Sequence, residues 1–207
     1  MSSFANVDLF DWFDNIDIYL FDQILKGRFL KGANLLDAGC GHGRNLVYFL
    51  RAGYEVFGVD RSPAAIEEVQ ALAKKHSPGL SLGNFRVENI EEMSFKDEAF
   101  DVVISSAVLH FSSDANHFNS MVSEMWRVLR PGGMFFSRLA SSIGIEDRIR
   151  PVGKGCYTVP DGSTRFLVDE VFLREMSKKL TGRFLEPIKT VNVEGQRCMT
   201  TWCLRKD

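Results

Sequence analysis

Residues 37–45 read Asp-Ala-Gly-Cys-Gly-His-Gly-Arg-Asn, with glycines at 39, 41 and 43 and an acid two positions before the first. Glycine adopts φ > 0 without strain and lets a ligand approach the backbone closely. Between a strand and a helix, such a loop holds a ligand outside the carboxyl end of a parallel sheet. The dinucleotide fingerprint G-x-G-x-x-G would need its third glycine at position 44, which is Arg44. A P-loop needs Lys followed by Ser or Thr, and Arg44-Asn45 supply neither. A carboxylate at Asp37 repels a pyrophosphate and attracts a cation. Asp60 stands 60 − 39 = 21 residues after the first glycine, the separation from which an acid reaches ribose hydroxyls. The two acids and the glycine bend therefore suit a cationic nucleoside without a diphosphate.

Alternating strands and helices must position these groups. Residues 33–37 form a short apolar run ending in an acid, and 55–59 a second one ending at Asp60. Helical spacing marks 45–51 and 63–76, the latter opened by Ser62 as N-cap and Pro63 at the first helical position. Residues 84–87 and 100–105 read as third and fourth strands. Asp114 caps a helix that Arg130-Pro131-Gly132-Gly133 terminates, and 134–139 is a fifth strand. The stretch 140–164 carries four glycines and two prolines and reads as a long functional loop. A helix over 169–180 precedes strands at 184–193 and 197–204, joined as a hairpin at Glu194-Gly195-Gln196. Residues 1–32 read as a helical cap, with Asp8, Asp11, Asp14 and Asp17 on a solvated face, and 33–207 as the main domain. Repeated strand–helix units indicate an α/β sandwich with a mainly parallel sheet.

Asp37 through Gly43 resembles the D-x-G-C-G-x-G signature of class I S-adenosylmethionine-dependent methyltransferases. The resemblance continues in order through Asp60, the 88–95 segment, Phe100-Asp101-Val102-Val103, Leu109-His110 and Leu129-Arg130-Pro131-Gly132-Gly133. It is close over 33–140 and looser in the tail. Gly43-Arg44-Asn45 is similar to the run in small-molecule members such as the tellurite-resistance type. The resemblance implies a Rossmann-like α/β fold: a seven-stranded, mainly parallel sheet with helices on both faces and a C-terminal antiparallel hairpin. It also implies S-adenosyl-L-methionine as cofactor, held by Asp37, Gly39, Cys40, Gly41, Gly43, Asn45, Asp60, Arg61, Asn89, Ile90 and Ser105. Asn89 departs from the family's usual Asp at the adenine position. Its amide oxygen still accepts a hydrogen bond from the adenine amino group.

The implied reaction is direct in-line methyl transfer to a small-molecule acceptor. A thiolate acceptor needs no general base; an alcohol, phenol or amine does, and His110 is the candidate catalytic residue. Trp12, Phe13 and Tyr19, with the 140–164 stretch, are expected to form a lid over the acceptor. Arg148 and Arg165 are expected to hold an anionic acceptor. The alternatives are a non-catalytic S-adenosylmethionine-binding module, a methyltransferase acting on tRNA or protein, and a nicotinamide-dependent oxidoreductase.

The chain has 207 residues, 45% of them apolar, with 25 Lys+Arg against 27 Asp+Glu for a net charge of −2. That balance argues against a protein held mainly to nucleic-acid phosphates. No run of 18 apolar residues occurs, and Met1-Ser2-Ser3-Phe4 lacks the basic and apolar regions of a secretory signal. Cys40, Cys156, Cys198 and Cys203 form no C-x-x-C pair, so no metal site is expected. These features lead us to expect a reduced, cytoplasmic enzyme without membrane or nucleic-acid partners, with a homodimer as the assembly to test.

Overall fold

The fold is described from a computed structural model, over residues 9–207. Expectations for Met1–Phe4 and Asp8 lie outside the described residues. The N-terminal segment forms two helices, α1 (Leu9–Phe13) and α2 (Ile18–Leu25). The core then alternates: β1 (Asn34–Ala38), α3 (Val47–Arg51), β2 (Glu55–Asp60), α4 (Pro63–His76), β3 (Phe85–Val87), β4 (Phe100–Ser106), α5 (Ala115–Val128) and β5 (Leu129–Ser141). The remainder comprises β6 (Arg150–Gly153), β7 (Cys156–Thr158), β8 (Thr164–Phe166), α6 (Glu170–Lys179), β9 (Gly182–Phe184), β10 (Lys189–Val193) and β11 (Arg197–Lys206).

The main sheet runs β10-β11-β5-β4-β1-β2-β3, with β9 paired to the far end of β11. The β5-β4-β1-β2-β3 portion is parallel and the β10–β11 hairpin antiparallel. This is the Rossmann-like seven-stranded arrangement, with one short extra strand. Alternation along the strands sorts side chains onto two layers. Leu36, Val103, Phe135 and Trp202 pack with α5 and α6, while Leu35, Val102, Ile104 and Phe136 pack with α2, α3 and α4. Leu20 of α2 is fully buried in the second layer, so the N-terminal helices share the core of the sheet.

Side-chain caps fix where the helices begin. Ser62 accepts from Ala65 N–H ahead of α4, Asp114 from His117 N–H ahead of α5, and Asp169 from Phe172 N–H ahead of α6.

Five parts of the chain differ from the sequence reading, the first being the strand expected over 184–193, which is split into β9 and β10 by the non-strand residues 185–188. The helix expected over 45–51 is a single turn or so, because Gly43 and the residues after it form turns before Val47. The Arg130–Gly133 run does not separate helix from strand. It loops out as a bulge inside β5, whose register to β4 jumps from Phe100↔Leu129 to Val102↔Met134. An Arg130–Asp101 ion pair ties the bulge down. The 140–164 stretch is partly regular: with β8 it builds a three-stranded antiparallel sheet, β6-β7-β8. Strands of three or four residues leave too short a pattern to be seen in sequence. Finally, Asp17 is not on a solvated face. It is 3% exposed and caps α2 by accepting from Tyr19 N–H and Leu20 N–H.

Candidate active site

The carboxyl ends of β1, β2 and β4 meet at the loop 39–45. Gly39 N–H and Cys40 N–H both donate to Val59 O, at 2.8 and 3.0 Å, which locks the loop to β2. Gly39 has φ +82°, and a Cβ there would stand 2.6 Å from Val108 Cγ2. Gly43, at φ +78°, lies against Leu72 and Val69 of α4. Both positions therefore demand glycine for backbone shape and for space.

A cavity of ≈ 440 Å³ opens above this bend. Gly39, Cys40, Gly41, Asn45, Asp60, Arg61, Asn89 and Ile90 line it, joined by Arg44, Ser106, Ala107, Val108, Phe111 and Met121. Asp60 is fixed by the loop itself, accepting from Gly41 N–H at 3.0 Å on one oxygen and from Ser62 N–H at 2.9 Å on the other. Each carboxylate oxygen keeps a lone pair for a ribose hydroxyl. Asn89 is exposed at the cavity mouth and Ile90 is buried in its wall. Asn45 faces the cavity, while its side-chain oxygen accepts from Asp17 N–H at 2.9 Å.

Asp37 lies beneath the bend, wholly buried, with neither carboxylate oxygen hydrogen-bonded. Burial, reinforced by Asp60, pushes its pKa up to about 7 against the pull of Arg44. It supports the floor from below and is not itself in the cavity wall. One further expectation shifts. Ser105 is fully buried in the sheet, and Ser106, one residue on, faces the cavity. β4 runs one residue further than expected, and strand parity turns Ser105 away. The Cys40 thiol is buried and its pKa raised, as suits a packing residue beside Gly58.

A second cavity, of ≈ 270 Å³, adjoins the first. Ala107 lines both; it has φ +63°, and its N–H donates to Arg138 O at 2.8 Å. The second cavity is lined by His110, Arg138, Arg165, Arg197 and Asp161, with Val159, Leu167 and Met199 as apolar wall. His110 is 6% exposed, and its Nδ1 accepts from Ala140 N–H at 3.3 Å. Burial first, and Arg165 second, lower its pKa to about 4, so the ring is neutral at pH 7. With Nδ1 accepting, the ring proton sits on Nε2. His110 thus presents a donor rather than the proton acceptor expected of a general base.

The lid residues are placed differently from expectation. Trp12 is 39% exposed and lines neither cavity, and Phe13 stacks on Tyr48 of α3. Tyr19 lies under the Arg138 guanidinium at 4.9 Å, supporting a wall residue from behind. Arg148 is exposed and folds over Gly195 at the β10–β11 turn, away from the second cavity. Arg165 does line it. Arg138 lines it as well, and no local sequence pattern marks its pairing with Asp17.

The glycine bend, an Asp60 carboxylate held in the cavity wall and a cavity lining without a lysine fit S-adenosylmethionine. Comparison with known proteins agrees. The family model described as a methyltransferase domain matches residues 36–137. Over that stretch, just under half of the chain, the sequence is similar to class I S-adenosylmethionine-dependent methyltransferases. The chain is 30% identical over 130 residues to an arsenite methyltransferase of Aquipseudomonas alcaligenes, covering 58% of this chain and 37% of that one. Its fold matches the PH0226 protein of Pyrococcus horikoshii OT3 with a TM-score of 0.73 at 19% identity, covering all of both chains. It also matches TehB of Haemophilus influenzae, with a TM-score of 0.68 at 21% identity over 94% of this chain and 63% of that one. The chain spans less than half the length of the first curated relatives it matches. Among the described residues, no helix is long and apolar enough to cross a membrane.

Proposed function

We propose that this methyltransferase transfers a methyl group from S-adenosylmethionine to a small molecule seated in the second cavity. The observation that carries the reading is Ala107, which belongs to the wall of both cavities. A donor above the glycine bend and an acceptor beside His110 would approach each other past that one side chain. The relative named as an arsenite methyltransferase supports an acceptor of low molecular weight.

The cofactor supplies an activated methyl group on a sulfonium, so the chain need only bind, orient and exclude water. Gly39 and Gly41 bring backbone close to the ligand, Asp60 fixes the ribose, and Ile90 and Val108 flank the adenine side. Orientation of this kind contributes about 7–11 kcal/mol to an in-line displacement. His110 holds an acceptor oxygen through Nε2–H, and its buried neutral ring takes no proton. Acceptors that are already ionised, or whose proton leaves to solvent, suit this arrangement.

Calorimetric titration with S-adenosylhomocysteine, followed by a methyl-transfer screen over thiols, phenols, alcohols, amines and carboxylic acids, tests the reading. We expect nucleoside binding and turnover of a small acceptor. Binding with no turnover across that panel would favour a non-catalytic binding module. Absence of any heat would overturn the cofactor assignment, and turnover confined to tRNA or protein would overturn the acceptor class.

A further inference from the structure

The second cavity carries more information about its occupant than size alone. Its charged lining residues are unequally satisfied. Arg197 faces Asp161, with Nη1 and Oδ2 3.8 Å apart, and Asp161 also accepts from Ser163 N–H at 2.9 Å. Arg138 gives Nη1 to Asp17 at 2.9 Å, so its charge is matched from outside the cavity. Its Nε–H is buried and has no hydrogen-bond partner. Arg165 donates Nη1 only to its neighbour's carbonyl, Thr164 O, at 2.8 Å, and lies over the Phe111 ring at 4.8 Å. Among the described residues no carboxylate pairs with it at salt-bridge distance. Beside these, His110 offers Nε2–H from a neutral ring.

The wall therefore presents two guanidiniums, Arg165 and Arg197, that share the one carboxylate of Asp161 and leave one positive charge in excess, together with one imidazole N–H from His110. A guanidinium recognises a planar carboxylate well. One uncompensated positive charge matches a monoanion and leaves a phosphate dianion half unpaired. Val159, Leu167 and Met199 supply an apolar surface for the rest of the molecule.

We propose that the acceptor is an amphipathic monocarboxylate, anchored by the Arg165 guanidinium and the Nε2–H of His110, with its apolar body against Leu167 and Val159. This deepens the acceptor-site reading above and rests on it. Of the Arg148–Arg165 pair expected from sequence it keeps Arg165 alone, because Arg148 is turned toward Gly195.

The test uses the full chain loaded with S-adenosylhomocysteine. A series of aryl and alkyl monocarboxylates, from benzoate to octanoate, is titrated beside the matching primary amides and phosphate monoesters. At least one carboxylate should bind ten-fold or more tightly than its amide, and more tightly than its phosphate counterpart. In Arg165→Gln that preference should fall to three-fold or less while S-adenosylhomocysteine binding, the check on folding, is unchanged. Arg165→Lys should restore part of it. If S-adenosylhomocysteine binds normally and no carboxylate outcompetes its amide, the anchoring proposal is wrong while the cofactor assignment stands. Tighter binding of phosphate monoesters would overturn the monoanion class. Failure of S-adenosylhomocysteine to bind the wild-type chain would instead remove the reading on which the proposal rests.

Discussion

Asp17 and Arg138 meet at 2.9 Å across 121 residues of sequence, joining the N-terminal helices to the strand that walls the second cavity. The same Asp17 oxygen accepts from Ser106 Oγ at 3.2 Å, and the Nη2 of Arg44 lies 3.9 Å from it. One buried carboxylate therefore touches side chains of both cavities.

Removing it should be costly. Asp17→Ala strips one partner from a largely buried ion pair and deletes the cap of α2. We expect a loss of about 3 kcal/mol, the scale seen when a buried pair loses one member. Urea denaturation measures it. Asp17→Asn retains the cap and should lose less.

Asp37 gives the cofactor-free protein an unusual pH dependence. Its folded pKa, about 7, lies above the unfolded value near 3.8. The folded state therefore holds a proton that the unfolded state releases, and stability from this group declines as pH rises from about 4 to 7. Asp37→Asn should flatten that slope and stabilise the empty protein at pH 8, while weakening S-adenosylmethionine binding. Thermal melts across pH check the first part and calorimetry the second.

His110 should titrate far below the ordinary histidine range. With a folded pKa of about 4 against 6.5 unfolded, its contribution to stability is complete above pH 6.5 and is lost as pH falls toward 4. In a proton NMR titration its ring signal should stay unshifted from pH 8 down to about 5. A midpoint near 6.5 would contradict both the burial and the donor role.

Gly39→Ala should disable the cofactor cavity. The new methyl would press on Val108, and the backbone sits where L residues are strained. A cost of about 1–3 kcal/mol is expected from the strained conformation alone, together with loss of S-adenosylhomocysteine binding. Arg148→Ala, at the β10–β11 turn, should leave that binding and the acceptor KM unchanged.

The parts of the site carried by short stretches of chain were legible in sequence. The glycines, Asp60 and the segment holding Asn89 and Ile90 are local patterns, and the strands before them are continuous apolar runs. Legibility failed where a role depends on distant partners or on one-residue parity. Asp17 sits among aspartates spaced as on a wet helix face, and only its contact with Arg138 removes it from water. Ser105 and Ser106 are chemically alike, and the final residue of β4 decides which one faces the cavity. Arg148 and Arg165 looked equivalent as loop cations until the short β6-β7-β8 sheet and the β10–β11 turn separated them. His110 was visible as a cleft histidine, but its tautomer depends on an amide thirty residues away.

Ala107 stands with a left-handed backbone between the two hollows, and its side chain is a lone methyl. A side chain that lines both hollows sets how much room separates their occupants. A leucine in its place would add bulk where the two chambers meet. Donor and nucleophile would then be held further apart, so residue 107 acts as a gauge on which pairs of molecules can meet.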